Sequence, residues 1–138
     1  MSFLLDTNVL SEIRKPKHDA NVQRWFRSVE DSDLYLSVLV VGEIRQGVER
    51  LRRRDPKRAT AYESWLADLR LRYRERIVPI SSEIAEEWGR RNVPDPLGVV
   101  DGLLAATAKV IGLTLVTRNT ADVARTGVAV LDPFEAPA

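Results

Sequence analysis

Short apolar segments alternate with longer stretches of helical periodicity, and this alternation limits the possible folds more than any other feature of the chain. Strands separated by helices need crossover connections, which favour a parallel sheet with helices on both faces. The expected strands lie in SFLLD, LYLS, RIVPI, LTLVT and AVLD. At 138 residues the chain is near the usual size of one domain. We therefore predict one α/β domain, residues 1–138, with three layers and a parallel central sheet of about four to five strands.

The helices are predicted from apolar spacing and from residues that cap or stop a helix. A short helix in TNVLSEIRK stops near Pro16, and Gly112 ends a helix rich in small residues that follows the loop NVPDPLG. The proline in RIVPI favours an edge strand or the end of a strand. The remaining helices are predicted at residues 20–30, 38–53, 57–75 and 82–91.

Composition excludes several classes of protein and site. The chain has no cysteine, which rules out disulfides and thiolate metal sites. The one histidine, His18, lies in a loop rich in lysine and proline, which argues against a histidine metal site or a Ser-His-Asp triad. Asp6 interrupts the first apolar run too early for a signal peptide, and no apolar stretch reaches the roughly 18 residues of a membrane helix. We expect a cytoplasmic protein with no membrane association.

Charge is distributed unevenly along the chain, although the net charge is only +1. The stretch from Arg45 to Arg76 holds 11 Lys or Arg and 5 Asp or Glu, whereas the remainder holds 10 basic and 15 acidic residues. A basic centre within an acidic frame suits a protein that handles a polyanion near a carboxylate site. A solvated helix face with ion pairs four residues apart accounts for the same pattern, and charge alone does not separate the two.

The first predicted strand, Phe3 to Leu5, runs directly into a carboxylate, Asp6. Ligands of parallel α/β sheets gather outside the carboxyl ends of the strands, where Asp6 would lie. Aspartate is also a common helix N-cap, so this segment alone leaves a local role open. Three further acidic residues follow the same kind of break from strand or loop into helix: Glu43, Asp101 and Asp122. We expect all four at one rim of the sheet.

Two of these carboxylates lie in segments that should be packed. Glu43 lies in SVLVVGEI and Asp101 in GVVDGLLAATA, and a carboxylate is costly to desolvate there unless it is paired or binds a metal. Four converging carboxylates repel one another, and Mg²⁺ is a suitable counter-charge because it is a hard ion that prefers oxygen ligands. Such a site can activate a water and stabilise a phosphoryl transition state. We place the attacking water on Mg²⁺ between Asp6 and Asp101, with Glu43 completing the cage or orienting the water.

Asp122 has a purely local alternative, because the dipole of a short helix already favours an aspartate in the first turn. Asn119, three residues earlier, is a candidate cap of that helix. Mg²⁺ keeps several waters, which favours contact with Asp122 through a water over direct ligation.

Four segments in this order, LLDTNVLSE, VVGEIRQGVERL, VVDGLLAATA and LVTRNTADV, resemble the PIN-domain ribonucleases, and most closely the VapC and FitB-like toxins. By this resemblance Asp6, Glu43 and Asp101 match the core acidic triad, and Asp6 and Asp101 match the principal Mg²⁺ ligands. Asp122 matches a fourth acidic position that varies within the family. Where the chain has TADV, many members have an aromatic residue after the acid, which affects local packing. Polar residues that line the site are matched by Thr7, Asn8, Thr117 and Asn119.

The resemblance implies a Mg²⁺-dependent endoribonuclease, with Mn²⁺ as a substitute, that cleaves RNA and inhibits translation as the toxin of a type II toxin–antitoxin system. It also implies a VapB- or FitA-like antitoxin, whose C-terminal segment occupies the active-site groove, and a homodimer. Apolar residues at helical spacing are candidates for the dimer surface, with core packing as the alternative: Trp65, Leu69 and Tyr73. Arginines that are candidates for RNA phosphate contacts are Arg45, Arg50, Arg52, Arg53 and Arg54. Arg45 has a second interpretation, as the partner of a site carboxylate or of the antitoxin.

Three other functions are weighed against this one. A haloacid-dehalogenase-type phosphatase needs a second aspartate two residues after the first, and the chain has Asn8 there. A catalytically silent PIN-like RNA-binding or scaffold domain should have lost a carboxylate of the triad, but all three are present. A non-toxin PIN nuclease of RNA processing would share the site, although the length of the chain favours a toxin.

Overall fold

Five parallel strands form one sheet in the computed structural model, which describes residues 1–136. Their order is β3-β2-β1-β4-β5, so the first strand in sequence is the central one. All four strand pairs are parallel, which confirms the predicted fold class. The strands are β1 (Phe3–Leu5), β2 (Leu34–Ser37), β3 (Ile77–Val78), β4 (Thr114–Val116) and β5 (Val130–Leu131).

Helices cover both faces of this sheet. The side chains of Phe3, Leu4 and Leu5 are all buried, and successive side chains of a strand point to opposite faces. Within residues 1–136, none of the helices combines the length and apolar character needed to cross a membrane. The helices are α1 (Thr7–Arg14), α2 (Ala20–Ser28), α3 (Val38–Arg52), α4 (Pro56–Arg72), α5 (Ser82–Arg91), α6 (Val99–Ile111) and α7 (Thr120–Ala124).

The predicted bounds differ from the structure mainly where the chain turns towards the edge strand β3. Helix α4 ends at Arg72, earlier than residue 75, because a turn follows in which the Arg76 N–H binds the Tyr73 carbonyl at 2.6 Å. Strand β3 then covers only Ile77–Val78, and Pro79 lies outside it. Proline cannot donate to a strand ladder, so the strand ends where RIVPI indicated.

Two of the three residues considered for a dimer surface are core residues instead. Leu69 is 8% exposed and Tyr73 is 1% exposed, and both pack in the main hydrophobic cluster. Trp65 is half-buried and packs against the Tyr62 ring, with ring centroids 5.2 Å apart. Helical spacing marked one apolar face of α4 correctly, but the body of the protein covers most of that face.

Helix α6 is built for close packing, as its small residues predicted. Ala105, Ala106 and Ala108 are buried, and the side-chain hydroxyl of Thr107 donates to the Leu103 carbonyl at 2.7 Å. The helix ends at Gly112, whose φ of 81° lies in the left-handed region that favours glycine. The helix therefore returns the chain to β4, beside β1, and its first turn lies at the carboxyl rim of the sheet.

Candidate active site

Asp6 lies at the carboxyl end of the central strand and is 7% exposed. Its backbone N–H binds the Val116 carbonyl at 2.9 Å, which continues the β1–β4 ladder and fixes its position. One carboxylate oxygen, Oδ1, accepts from the Thr7 N–H at 2.7 Å and caps α1. The other, Oδ2, accepts from the Thr117 hydroxyl at 2.7 Å. Asp6 is therefore a helix cap, as the local interpretation held, and also part of a polar cluster beyond its own helix.

Thr117 directly follows β4 and is 1% exposed, and its hydroxyl bonds to Asp6 at the end of β1. Its hydroxyl oxygen also accepts from the Asn119 backbone N–H at 3.1 Å. The Asn8 amide donates to Asp6 Oδ2 at 3.4 Å and to the Thr117 hydroxyl at 3.5 Å, while its oxygen accepts from the Arg118 N–H at 3.4 Å. The rotamer of Asp6 is thus held from two sides.

Glu43 lies in the second turn of α3 and is half-buried. Its Oε1 accepts from the Thr7 hydroxyl at 2.7 Å. Thr7 follows Asp6 directly, so one residue holds the first carboxylate through its backbone and the second through its side chain.

Asp101 lies in the first turn of α6, half-buried, after the N-cap Gly98. Burial raises the pKa of Asp101 above its ordinary value, and the Asp6 and Asp122 carboxylates raise it further. The like charges are therefore close enough to disfavour ionisation of Asp101. This is the electrostatic arrangement expected of carboxylates that converge on a cation.

Asp122 lies in the first turn of α7 and is exposed. Its negative charge contributes to the raised pKa of Asp101, after the larger effects of burial and of Asp6. Asn119 occupies the N-cap position of α7, as expected, but its side chain makes no capping hydrogen bond within the described residues. Its backbone N–H contributes to the polar cluster by donating to the Thr117 hydroxyl.

Comparisons with known proteins identify the family of this chain. The model of the PIN domain family matches residues 3–128. The chain belongs to the PIN-domain family. It is 32% identical over 137 residues to Toxin FitB of Neisseria gonorrhoeae, an alignment that covers 96% of this chain and 98% of FitB. It is 28% identical over 139 residues to VapC ribonuclease Y4jK of Sinorhizobium fredii, covering 96% and 98% of the two chains.

A solved structure gives the same answer for the fold. A chain in the crystal structure of FitAcB from Neisseria gonorrhoeae superposes with a TM-score of 0.89 and 31% identity, covering 97% of this chain and 99% of that one. The resemblance to PIN-domain proteins of the FitB and VapC type is confirmed.

The carboxylates of this PIN domain have the right chemistry for a divalent cation, although they do not form a finished metal site. Within residues 1–136, no group of three or more His, Cys, Asp or Glu side chains has the arrangement of a metal site. The Asp6 and Glu43 carboxylates each accept a hydrogen bond from a threonine hydroxyl. Mg²⁺ is usually held by one or two carboxylates and several waters, so Asp6 and Asp101 suffice as hard oxygen ligands. The residues fit the ion.

One buried acidic residue of the PIN domain, Glu87, lies outside the candidate site. Glu87, 8% exposed, forms ion pairs with Arg91 at 2.7 Å, Arg90 at 3.4 Å and Lys109 at 3.5 Å. Arg91, followed by Arg90, holds the pKa of Glu87 below its ordinary value against the opposing effect of burial. Its charge is compensated, and Glu87 joins α5 to α6.

A positioning contact escaped the sequence analysis. Trp88 of α5 packs on α6 at Gly102, where an added Cβ would lie 3.0 Å from the indole ring. Gly102 follows Asp101, so the indole contact sets how closely α6 approaches α5 beside the carboxylate. The only signal in the sequence was a glycine within a helix next to an acidic residue.

Proposed function

We propose that the chain is the toxin of a toxin–antitoxin pair and acts as a metal-dependent endoribonuclease that inhibits translation by cutting RNA. The observation that carries the proposal is the hydrogen bonding of two acidic residues at the carboxyl rim of a PIN-domain sheet, where the Thr117 hydroxyl holds Asp6 and the Thr7 hydroxyl holds Glu43, each at 2.7 Å. The pKa of Asp101, which burial raises and the Asp6 and Asp122 carboxylates raise further, supports it. The relatives support it, because one is called a toxin and another a VapC ribonuclease. Retention of every acidic position argues against a silent scaffold domain.

The residues of the site divide the work in the following way. Asp6 and Asp101 hold a divalent cation, which supplies a Lewis acid and an activated water when bound. The hydroxyl of Thr117 keeps Asp6 Oδ2 in place, and the hydroxyl of Thr7 keeps Glu43 Oε1 in place. Glu43 Oε2 accepts no hydrogen bond within the described residues and is free to accept one from the attacking water.

Threonine suits positions 7 and 117 because its hydroxyl orients a carboxylate without neutralising it. A hydroxyl donates one hydrogen bond and leaves the carboxylate negative, whereas an arginine partner would neutralise it. The site thus keeps its charge for the cation. PIN-domain nucleases generally use divalent metal ions, which agrees with this role.

The basic test is cleavage of a labelled single-stranded RNA pool by the purified protein in Mg²⁺. We expect discrete cuts, with no release of single nucleotides from the ends. A protein that folds and binds its antitoxin but leaves the whole pool intact would contradict the ribonuclease proposal.

Asp122 should have a graded effect on cleavage. It is exposed and lies at the outer side of the cluster, so we expect it to act through water. Asp122→Ala should lower the cleavage rate by about tenfold, the range of residues outside the ligand shell, and raised Mg²⁺ should restore part of it. Asn119→Ala should cost less, because only its backbone N–H is used. A loss equal to that from Asp6→Ala, without metal rescue, would show that Asp122 is a direct ligand.

We also propose a homodimer, as expected from the resemblance. Trp65 is the one residue of the earlier candidates that remains partly accessible, and Leu71 of the same helix is 68% exposed. Light scattering at micromolar concentration should give about twice the chain mass of 15.6 kDa. A single chain mass would contradict the dimer.

The proposed antitoxin should bind the groove over the carboxylates, and cleavage by the pair should then be suppressed.

A further inference from the structure

Five arginines of the α3–α4 hairpin fall into two groups with different surroundings, and the exposed Arg53 belongs to neither group. In the first group, Arg45 forms ion pairs with Glu63 at 2.7 Å and Glu49 at 3.2 Å. Arg52 binds the same two glutamates, each at 3.1 Å. These arginines hold the pKa of both glutamates below the ordinary value. Their charges are compensated within the hairpin, and Arg45 pairs with no site carboxylate.

The second group lines a cavity of about 270 Å³ at the end of the hairpin. Three arginines there are exposed, and no ion pair within the described residues includes them. The other lining residues are Gly47, Leu51 and Tyr62, so no acidic side chain lines the cavity. We call this cavity, with Arg50, Arg54 and Arg58, the arginine pocket.

The arginine pocket lies on the same side of α3 as the active site. Arg50 follows Glu43 by seven residues, which is two helical turns and about 10 Å along the axis, on the same face. Gly47 lies between them, and the Tyr62 ring closes over it, 3.3 Å from where a Cβ would be. The guanidinium of Arg14, from the last turn of α1, stacks 4.6 Å from the Tyr62 ring centroid. Helix α1, which begins beside Asp6, therefore flanks the path from the carboxylates to the pocket.

We propose that the arginine pocket binds phosphates of the RNA strand on one side of the scissile bond. This deepens the proposed ribonuclease function and rests on it. Guanidinium groups match phosphate oxygens in bidentate geometry, and three exposed ones that form no ion pair within the described residues suit a polyanion. The nearby Asp55 carboxylate caps α4 by accepting from the Arg58 N–H at 3.2 Å. The carboxylate cluster repels a phosphodiester, so the strand needs favourable contacts beyond it. An acidic protein segment would meet the same charges, but RNA is favoured because the pocket continues the helix face that carries Glu43.

The test compares two triple variants with the same change in net charge. The first carries Arg50→Gln, Arg54→Gln and Arg58→Gln. The control carries Arg27→Gln, Arg70→Gln and Arg74→Gln, which are exposed arginines of α2, of α4 and of the turn before β3, in the segments that lead into the amino ends of β2 and β3. Binding is measured in proteins that also carry Asp6→Asn, so that the RNA is not cut. The probe is a fluorescent single-stranded RNA, titrated by anisotropy over a series of salt concentrations.

The pocket variant should bind RNA about 10- to 100-fold more weakly than its parent. The slope of log affinity against log salt should become shallower by about 2. Each phosphate contact to a single strand contributes roughly 0.7 to this slope, and three contacts are removed. The control should stay within about threefold of the parent, with circular dichroism showing both variants folded. Equal affinities of the two variants would overturn the proposal. An acidic protein segment would then be the better candidate for the arginine pocket.

Cleavage by the same variants with Asp6 intact separates this proposal from the proposed function. The pocket variant should show a raised KM and a kcat within about threefold of wild type, because the chemistry lies two turns away. Wild-type protein that cuts no RNA would overturn the ribonuclease function, while the binding comparison would still report on the pocket. If the wild-type protein is active and the pocket variant has a normal KM, the proposed RNA binding by the arginine pocket is overturned, but the ribonuclease function is not.

Discussion

Replacement of Asp101 by asparagine is expected to abolish RNA cleavage and to leave the fold intact. Changes to residues that only orient metal ligands typically cost 10- to 100-fold in metal affinity or activity, so loss of a ligand charge should exceed about 100-fold. Asparagine keeps the shape of the side chain, and Asp101 makes no capping contact of its own in α6, whose N-cap is Gly98. The measurement is the cleavage rate of purified protein on a labelled RNA in Mg²⁺.

The same variant should be as stable as wild type, or more stable, without metal. Burial and the neighbouring carboxylates raise the pKa of Asp101 from the value of 3.8 expected when unfolded. The folded state then binds the proton more tightly, so the free energy of unfolding falls as pH rises from about 3.8 through the folded-state pKa. Asparagine removes this loss. The melting temperature in EDTA should therefore be unchanged or higher at pH 7, and the difference should shrink below the unfolded pKa.

A matched control separates this effect from any removal of an acidic group. Asp95 is an exposed aspartate of the loop before α6, and within residues 1–136 its one hydrogen bond is made by its backbone carbonyl, which accepts from the Arg125 guanidinium at 3.1 Å. Asp95→Asn should cleave RNA within about twofold of wild type. Full activity of Asp101→Asn would remove the basis of the proposed mechanism. Asp6→Asn should also be inactive, but its stability is a poorer test because Asp6 caps α1.

The position of the site could be predicted from the sequence because it depends on topology. A parallel sheet brings the carboxyl ends of its strands to one rim, so acidic residues directly after predicted strands converge whatever their distance along the chain. Asp6 and Thr117 are 111 residues apart, yet they meet at 2.7 Å because β1 and β4 are neighbours. The roles proposed for these residues rest on the family motifs.

Partners of individual side chains could not be predicted in the same way. Arg45 forms ion pairs with Glu49 of its own helix and with Glu63 of α4, and the second of these depends on how α3 and α4 pack. The apolar face of α4 was visible as spacing, but spacing does not say what covers it, and Leu69 and Tyr73 proved to be buried. The contact of Trp88 with Gly102 depends on the approach of two helices and had no periodic signal.

Cleavage is expected to need Mg²⁺ or Mn²⁺ and to disappear when the metal is chelated. Burial raises the pKa of Asp101, the negative charges of Asp6 and Asp122 raise it further, and a phosphodiester that enters the candidate site adds another negative charge. A divalent cation removes both repulsions and supplies the Lewis acid of the reaction. Protein treated with EDTA should therefore fall to the background rate, and excess Mg²⁺ should restore the rate fully.

Two controls make the metal experiment decisive. Asp101→Asn protein, purified in parallel, reports contaminating nuclease, which would be equal in both preparations. Thermal unfolding gives a readout independent of activity: Mg²⁺ should raise the melting temperature of wild type, since a ligand that binds only the folded state stabilises it by RT ln(1 + [L]/Kd). The rise should be much smaller in Asp101→Asn, which has lost a ligand. Cleavage at the full rate in EDTA, above the level of the Asp101→Asn preparation, would show that the carboxylates act without a metal. Their hydrogen bonds to Thr7 and Thr117 would then have to be explained by direct proton transfer or by structure alone.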